Sequence, residues 1–396
     1  MKITDCVHYV GVNDRNKHRF EGLWPLPYGV SYNSYIIEDE KTALVDTVDV
    51  CFFEQYMEKI QRAIGDRKID YLIINHMEPD HSGAIKLIRK YYPDITLVGN
   101  KQTLSMVQGY YGEEGNRLEI KDGETLPLGK RTLSFHLIPM VHWPETMVTY
   151  EHTEKTLFSG DAFGCFGALN GAVVDSDMNT DIYWEEMTRY YSNIVGKYGT
   201  PIQRALCKLA GTEIKTICST HGPVWKENIA KVVSIYDRLS KYEADEGVVI
   251  AYGTMYGNTE QMAEAIAEEL AAQGIRNIVM HNLSKSHDSY VLKDIFKYKG
   301  LILGAPTYNA SIYAEMSELM EELCMREIKG RYLGCFGSFT WAGQAVKKLT
   351  AFAEQVKYEM VGTPVEMKQA MKECTREQCK ELAKAMAERL KQDRKS

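Results

Sequence analysis

The sequence predicts an α/β protein of two domains, an αββα sandwich over residues 1–245 followed by a doubly wound parallel sheet over residues 246–396. Three observations carry this expectation. Up to about residue 225, short β-rich runs alternate with loops and a few helices. Beyond the charged cluster Glu243-Ala244-Asp245-Glu246-Gly247, continuous apolar strands of the parallel-sheet kind alternate with helices. In both halves the residues able to do chemistry stand directly after strands, at Gly or Pro punctuation. A chain of 396 residues, 44% hydrophobic, is also too long for one ordinary core.

In the first half, β runs are expected at Ser34 to Ile37, Thr42 to Val45, Tyr71 to Ile74, Thr96 to Val98, Leu133 to Ile138 and Met147 to Tyr150. Ile85, Leu87, Ile88 and Tyr91 have helical spacing, so the loop after Ile74 links a strand to a helix. Residues 181–209 read as helices whose stripe of Tyr183, Trp184, Met187, Tyr190, Tyr191, Ile194 and Val195 fits core or subunit contact better than a cofactor box. A further helix is expected between Lys226 and Tyr242. In the second half, strands are expected at Val248 to Tyr252, Asn277 to Met280, Gly300 to Leu303 and Tyr332 to Phe336. A helix from about Thr259 buries Met262, Ile266 and Leu270, and a last one runs from Arg376 to Leu390.

The run Asn75-His76-Met77-Glu78-Pro79-Asp80-His81-Ser82-Gly83 packs two imidazoles and two carboxylates into six positions after the strand ending at Ile74. A loop stiffened by Pro79 can aim His76, Glu78, Asp80 and His81 at one place without a helical spacing rule. That is a metal site in outline, for more than one ion, since one ion seldom takes four ligands from six residues. His142, Asp161 and His221 each follow a β-rich run as well. Alone, each is more often an ordinary loop residue than a ligand. Together they extend the pattern.

This pattern resembles the metallo-β-lactamase superfamily, whose zinc motif is H-x-H-x-D-H followed by a distant His, an Asp and a last His. Glu78 stands where the second His of the zinc hydrolases would be. A carboxylate there adds negative charge and hard oxygen donors and favours a redox iron pair over zinc hydrolysis. That substitution resembles the flavodiiron proteins. The resemblance implies two iron ions per chain, with His76, Glu78 and His142 on one, Asp80, His81 and His221 on the other, and Asp161 bridging them. Tyr28, Tyr32 and Phe163 are candidates to tune the site, with packing the more ordinary role.

Gly253-Thr254-Met255-Tyr256-Gly257-Asn258-Thr259 lies between the first strand of the second half and its helix. Hydroxyls and N–H groups at a helix N-terminus make an anion site, and the lysine of a nucleoside-triphosphate loop is missing. Two more loops, Gly304-Ala305-Pro306-Thr307-Tyr308-Asn309 and Gly337-Ser338-Phe339-Thr340-Trp341-Ala342-Gly343, follow successive strands and belong at the same sheet edge. This half is similar to flavodoxin over roughly residues 247–390, which implies FMN at the switch point. By that resemblance Thr254, Met255, Tyr256, Gly257, Asn258 and Thr259 surround the phosphate. Pro306, Thr307, Tyr308 and Asn309, with Ser338, Phe339, Thr340, Trp341, Ala342 and Gly343, flank the flavin ring.

The two halves in this order imply an oxidoreductase reducing dioxygen to water, nitric oxide to nitrous oxide, or both. A zinc hydrolase with an appended flavodoxin domain is the alternative, and an electron-transfer module with a degenerate metal domain the third reading. The family resemblance also implies a head-to-tail homodimer or a dimer of dimers. Paired C-x-x-C motifs of a rubredoxin module are not seen, so the expected donor is a separate rubredoxin or a reduced deazaflavin coenzyme. A net charge of −7 without a basic cluster argues against nucleic acid. No apolar run approaches the ~20 residues of a membrane span. No signal peptide is expected, and nine scattered cysteines fit a reducing cytoplasm.

Overall fold

The computed structural model describes residues 1–393. The chain divides after Ser240 into two compact units.

The first unit holds two main sheets. One has the order Val7–Tyr9, Tyr35–Ile37, Ala43–Val45, Tyr71–Ile73, Thr96–Gly99, Arg117–Glu119, and its last four strands are parallel. The other has the order Thr125–Pro127, Thr132–Leu137, Met147–Glu151, Thr156–Gly160, Thr216–Ser219. They face one another through apolar and aromatic side chains. The rings of Tyr35 and Phe158 lie 5.5 Å apart, edge to face, and the Tyr35 hydroxyl donates to Ser219 O at 2.7 Å. Both strands Met147–Glu151 and Thr156–Gly160 are buried at every position, as expected for strands covered on both faces. The helices Phe53–Ile64, Ile85–Tyr91 and Lys101–Tyr111 accompany the first sheet, and Asp181–Tyr190, Gly199–Leu209 and Ile229–Ser240 follow the strands of the second.

In the second unit the strand order is Ile278–Asn282, Asp245–Tyr252, Tyr298–Tyr308, Tyr332–Phe339, and then a split last strand of Glu359–Met360 and Val365–Lys368, all parallel. This is the 2-1-3-4-5 order, with its switch point between Asp245–Tyr252 and Tyr298–Tyr308. Met262, Ile266 and Leu270 of helix Asn258–Ala272 and Leu382, Met386 and Leu390 of helix Glu373–Asp393 are buried against Val248, Ile250, Ile302 and Phe336.

Two local readings need correction. Pro79–Ser82 is a single helical turn, so Asp80 and His81 stand in a helix and not in an irregular loop. Pro79 occupies its first position, where a missing N–H costs nothing. Asp245, Glu246 and Gly247 belong to the first strand of the second unit, which the sequence reading begins at Val248, their charges lying at its less buried end.

Candidate metal centre and cofactor cavity

Each metal-type side chain leaves the carboxyl end of a strand, and buried hydrogen bonds fix the loop that carries it. After Ile73, Asn75 is locked by the buried Asp46 carboxylate, which accepts from its N–H at 2.8 Å and its amide at 3.0 Å. Asn75 also ties the two sheets together, since its carbonyl accepts from Met147 N–H and its side chain from the Thr149 hydroxyl. The His81 carbonyl accepts from the Thr47 N–H at 2.7 Å and the Thr47 hydroxyl at 2.6 Å. Asp161 follows Gly160, which takes φ +57°. Beyond His221, Gly222 has φ +76°, and a Cβ there would stand 2.2 Å from Cys165 Sγ, so the turn admits only glycine.

All seven expected residues come together, and all are buried. His76, Glu78, His142 and Asp161 form one group, and Asp80, His81 and His221 a second; within each, the ligand-type atoms lie within 4.8 Å of one another. Asp161 divides its oxygens between them. Its Oδ2 lies 3.1 Å from His142 Nε2 and 3.6 Å from His76 Nε2. Its Oδ1 lies 3.0 Å from His81 Nε2 and 3.9 Å from His221 Nε2. Glu78 Oε2 closes the first group at 3.2 Å from His142 Nε2, and Asp80 the second at 3.4 Å from both His81 and His221.

Unmet polar atoms show what this arrangement is built to hold. His76 Nε2, His81 Nε2, His221 Nε2 and both Asp80 oxygens are buried without a hydrogen-bond partner, a costly condition unless a cation completes it. The electrostatics agree. Burial works against an imidazolium, yet Asp80 and Asp161 raise His81 to about 9, and hydrogen bonds to Asp161 and Glu78 raise His142 to about 9. Burial likewise works against a charged Asp161, but His81 and His76 hold its carboxyl well below the usual range. Three buried carboxylates this close together call for positive charge, which two metal ions would supply. The donor set, four imidazole nitrogens with three carboxylates, suits an iron pair.

Several positioning groups escape a reading of the sequence. Glu145 Oε1 faces His76 Nδ1 at 2.9 Å and accepts from Met77 N–H at 2.9 Å. Ser31 O meets His221 Nδ1 at 2.7 Å, and the Thr220 hydroxyl donates to Asp161 Oδ1 at 2.5 Å. Only Glu145 leaves a sequence signal, an acid three residues after His142 in a Pro-bounded turn. Tyr190, expected in the core, is buried but also sets its ring 5.6 Å from His221. Of the tuning candidates, Tyr32 lies 6.0 Å from the His221 ring, Phe163 packs on Tyr236 at 5.0 Å, and Tyr28 is half exposed. A cavity of about 470 Å³ reaches Glu78 and Asp80 past Lys17, Glu21 and Tyr111. Lost hydration and the neighbouring Glu78 push the Glu21 carboxyl up to about 7.

In the second unit a cavity of about 360 Å³ opens at the switch point. Residues 254–256, 258–259, 306–309 and 338–342 line it, joined by Ala310 and Gln369, which the sequence does not single out. Gly343 is not among them. Gly257 lies beneath, at φ +85°, as the N-cap of helix Asn258–Ala272, and no side chain caps that helix. Its first N–H groups and the positive end of its dipole therefore suit a phosphate. The Thr254 hydroxyl accepts from Gly257 N–H at 3.1 Å, and Thr259 is buried with its hydroxyl 2.8 Å from that of Ser338. Tyr256 and Trp341 are 90% and 87% exposed, flat surfaces beside the cavity suited to a planar ring.

Comparison with known proteins places the chain in a family. Residues 30–222 match the ODP family beta lactamase description, and residues 250–382 match flavodoxin. A nitric oxide reductase of Moorella thermoacetica is 33% identical over 366 residues, covering 91% of each chain. The rubredoxin oxygen:oxidoreductase structure from Desulfovibrio gigas superposes with a TM-score of 0.96 at 30% identity, covering 100% of both chains. The flavodiiron protein of Giardia intestinalis gives a TM-score of 0.93 at 27% identity over 99% of this chain and 96% of that one. The chain therefore belongs to the flavodiiron proteins, oxidoreductases built on FMN and a non-haem iron pair.

Proposed function

We propose that this protein reduces dioxygen to water, nitric oxide to nitrous oxide, or both, with two irons at the seven-residue centre and FMN at the switch-point cavity. The observation that carries the reading is the division of the Asp161 oxygens between two ligand groups. When bound, the iron pair supplies affinity for a diatomic gas and a store of two electrons, which FMN replenishes singly or in pairs.

The chain's own side chains do the holding and positioning. His76, Glu78 and His142 would hold one iron, Asp80, His81 and His221 the other, and Asp161 both. Glu145 and Ser31 O turn His76 and His221 so that each presents Nε2 inward. Glu21, raised to about 7, can carry a proton in the cavity that meets Glu78 and Asp80, which Lys17 also lines. Relatives over nearly the whole chain are a nitric oxide reductase and a rubredoxin oxygen:oxidoreductase, which favours this reading over a zinc hydrolase.

The proposed donor is a separate rubredoxin or a reduced deazaflavin coenzyme, the proposed assembly a head-to-tail homodimer or a dimer of such dimers, and the proposed compartment the cytoplasm. Among the described residues no helix is long and apolar enough to cross a membrane. The test is anaerobic reduction followed by dioxygen and nitric oxide in separate mixings, recording reoxidation rates and products. Rapid reoxidation by either gas, giving water or nitrous oxide, is expected; slow reoxidation by both, with hydrogen peroxide as the oxygen product, contradicts the reading.

A further inference from the structure

We propose that an apolar pocket beside the loops that carry His142 and Asp161 is the docking site through which the diatomic gas reaches the irons, separate from the cavity that meets Glu78 and Asp80. The inference rests on the gas-reductase reading and deepens it. Val141, Ala162 and Phe163 are among its lining, and each is within two residues of a ligand, Val141 preceding His142 and the other two following Asp161. Ile202, Ala205 and Leu209, on helix Gly199–Leu209, also line it and are buried.

Tyr236 brings the only polar side-chain atom among the lining residues, and its hydroxyl donates to Gly164 O at 3.3 Å. The space open to the centre of a water molecule is about 10 Å³. That is room for about one small molecule, but a buried water needs two to four polar partners. Water finds none here. Dioxygen and nitric oxide need none, and filling an empty apolar pocket restores dispersion contacts that its lining otherwise lacks. The larger cavity that meets Glu78 and Asp80 differs in carrying charged side chains, Lys17, Glu21 and Asp49, among its lining.

Xenon, an apolar probe of similar size, tests the site directly in crystals of the iron- and FMN-loaded protein. Xenon is expected against Ala162, Phe163 and Ala205. Ala205→Phe should remove it and lower kcat/KM for the gas about tenfold while leaving kcat at saturating gas, iron and FMN unchanged. Ala205→Val should fall between, and it carries the test if the larger side chain disturbs folding. A gas-reducing protein that takes no xenon there overturns the proposal, as does a variant that excludes xenon with kcat/KM intact. Xenon in the pocket of a wild-type protein that reduces neither gas would instead count against the functional reading.

Discussion

Glu145 holds His76: one carboxylate oxygen lies 2.9 Å from the imidazole Nδ1 and accepts from the Met77 N–H at the same distance. Asn100, which caps helix Lys101–Tyr111, donates its amide to the Glu145 carbonyl and so fixes the acid in turn. An imidazole bonded this way at Nδ1 offers Nε2 to a metal in one orientation. Glu145→Leu should weaken iron binding at the His76 group by roughly 10–100-fold, with FMN retained. Chelator competition on the loaded protein measures it, and wild-type iron retention would show that packing alone orients His76.

Removing a carboxylate from the centre should be more severe. Glu78→Ala or Asp161→Ala is expected to abolish gas reduction while leaving FMN bound, because each change takes one of the three carboxylates out of the seven-residue centre. A purified variant with full iron content and wild-type turnover would contradict these assignments.

Thr259→Val tests the phosphate end of the flavin cavity. Its hydroxyl meets that of Ser338 across the two loops, 2.8 Å away. A hydrogen bond to a charged group is worth about 1.5–3 kcal/mol, so FMN affinity should fall about ten- to a hundredfold, with iron preserved. Unchanged affinity in a fluorescence titration would move the phosphate elsewhere.

A pH-dependent effect is expected in the second unit. Burial and the carboxylates of Glu318 and Glu322 push the Asp288 carboxyl up to about 6, with Arg326 pulling the other way. An acid raised on folding contributes stability while it is protonated, and that contribution is lost as pH rises through about 6. Asp288→Asn should therefore raise the Tm by about 1–3 °C near pH 7.5, a modest shift because the site is partly hydrated. The difference should vanish near pH 4, and thermal unfolding at the two pH values decides. A variant destabilised at both would mean that helix-dipole stabilisation of the Asp288 charge dominates.

Mixed dimers test the proposed assembly. Co-expressing a metal-dead chain, His81→Ala, with a chain made flavin-dead by Thr259→Val plus added bulk at Gly257 should restore activity, since one intact iron pair would then meet one intact FMN across the two-fold axis. Isolated mixed dimers that fold normally yet stay inactive would show that electrons pass within one chain.

The site is legible in the sequence because each ligand-type residue stands in the loop or turn that leaves a strand, His76 to His81 after Ile73, His142 after Leu137, Asp161 after Gly160 and His221 after Ser219. Composition and punctuation reveal that relation. Glu145 shows in the sequence only as an acid in a Pro-bounded turn, and the roles of Ser31 and Thr220 do not show at all, because the partners of the three lie 69, 190 and 59 residues away and are brought near only in the fold. The strand at Asp245 to Gly247 is hidden because this strand is exposed only at its start, where charge is tolerated. The turn at Pro79 is hidden because one helical turn is too short for periodicity to show; proline at its first position is the available signal.

Metal analysis of the purified protein tests the central claim most directly. Glu78 in place of an imidazole, with Asp161 shared between two groups, predicts close to two irons per chain, beside one FMN, and loss of iron without loss of FMN in Asp161→Ala. Zinc at the centre, or a folded protein that binds no metal in a medium replete with iron, would contradict it.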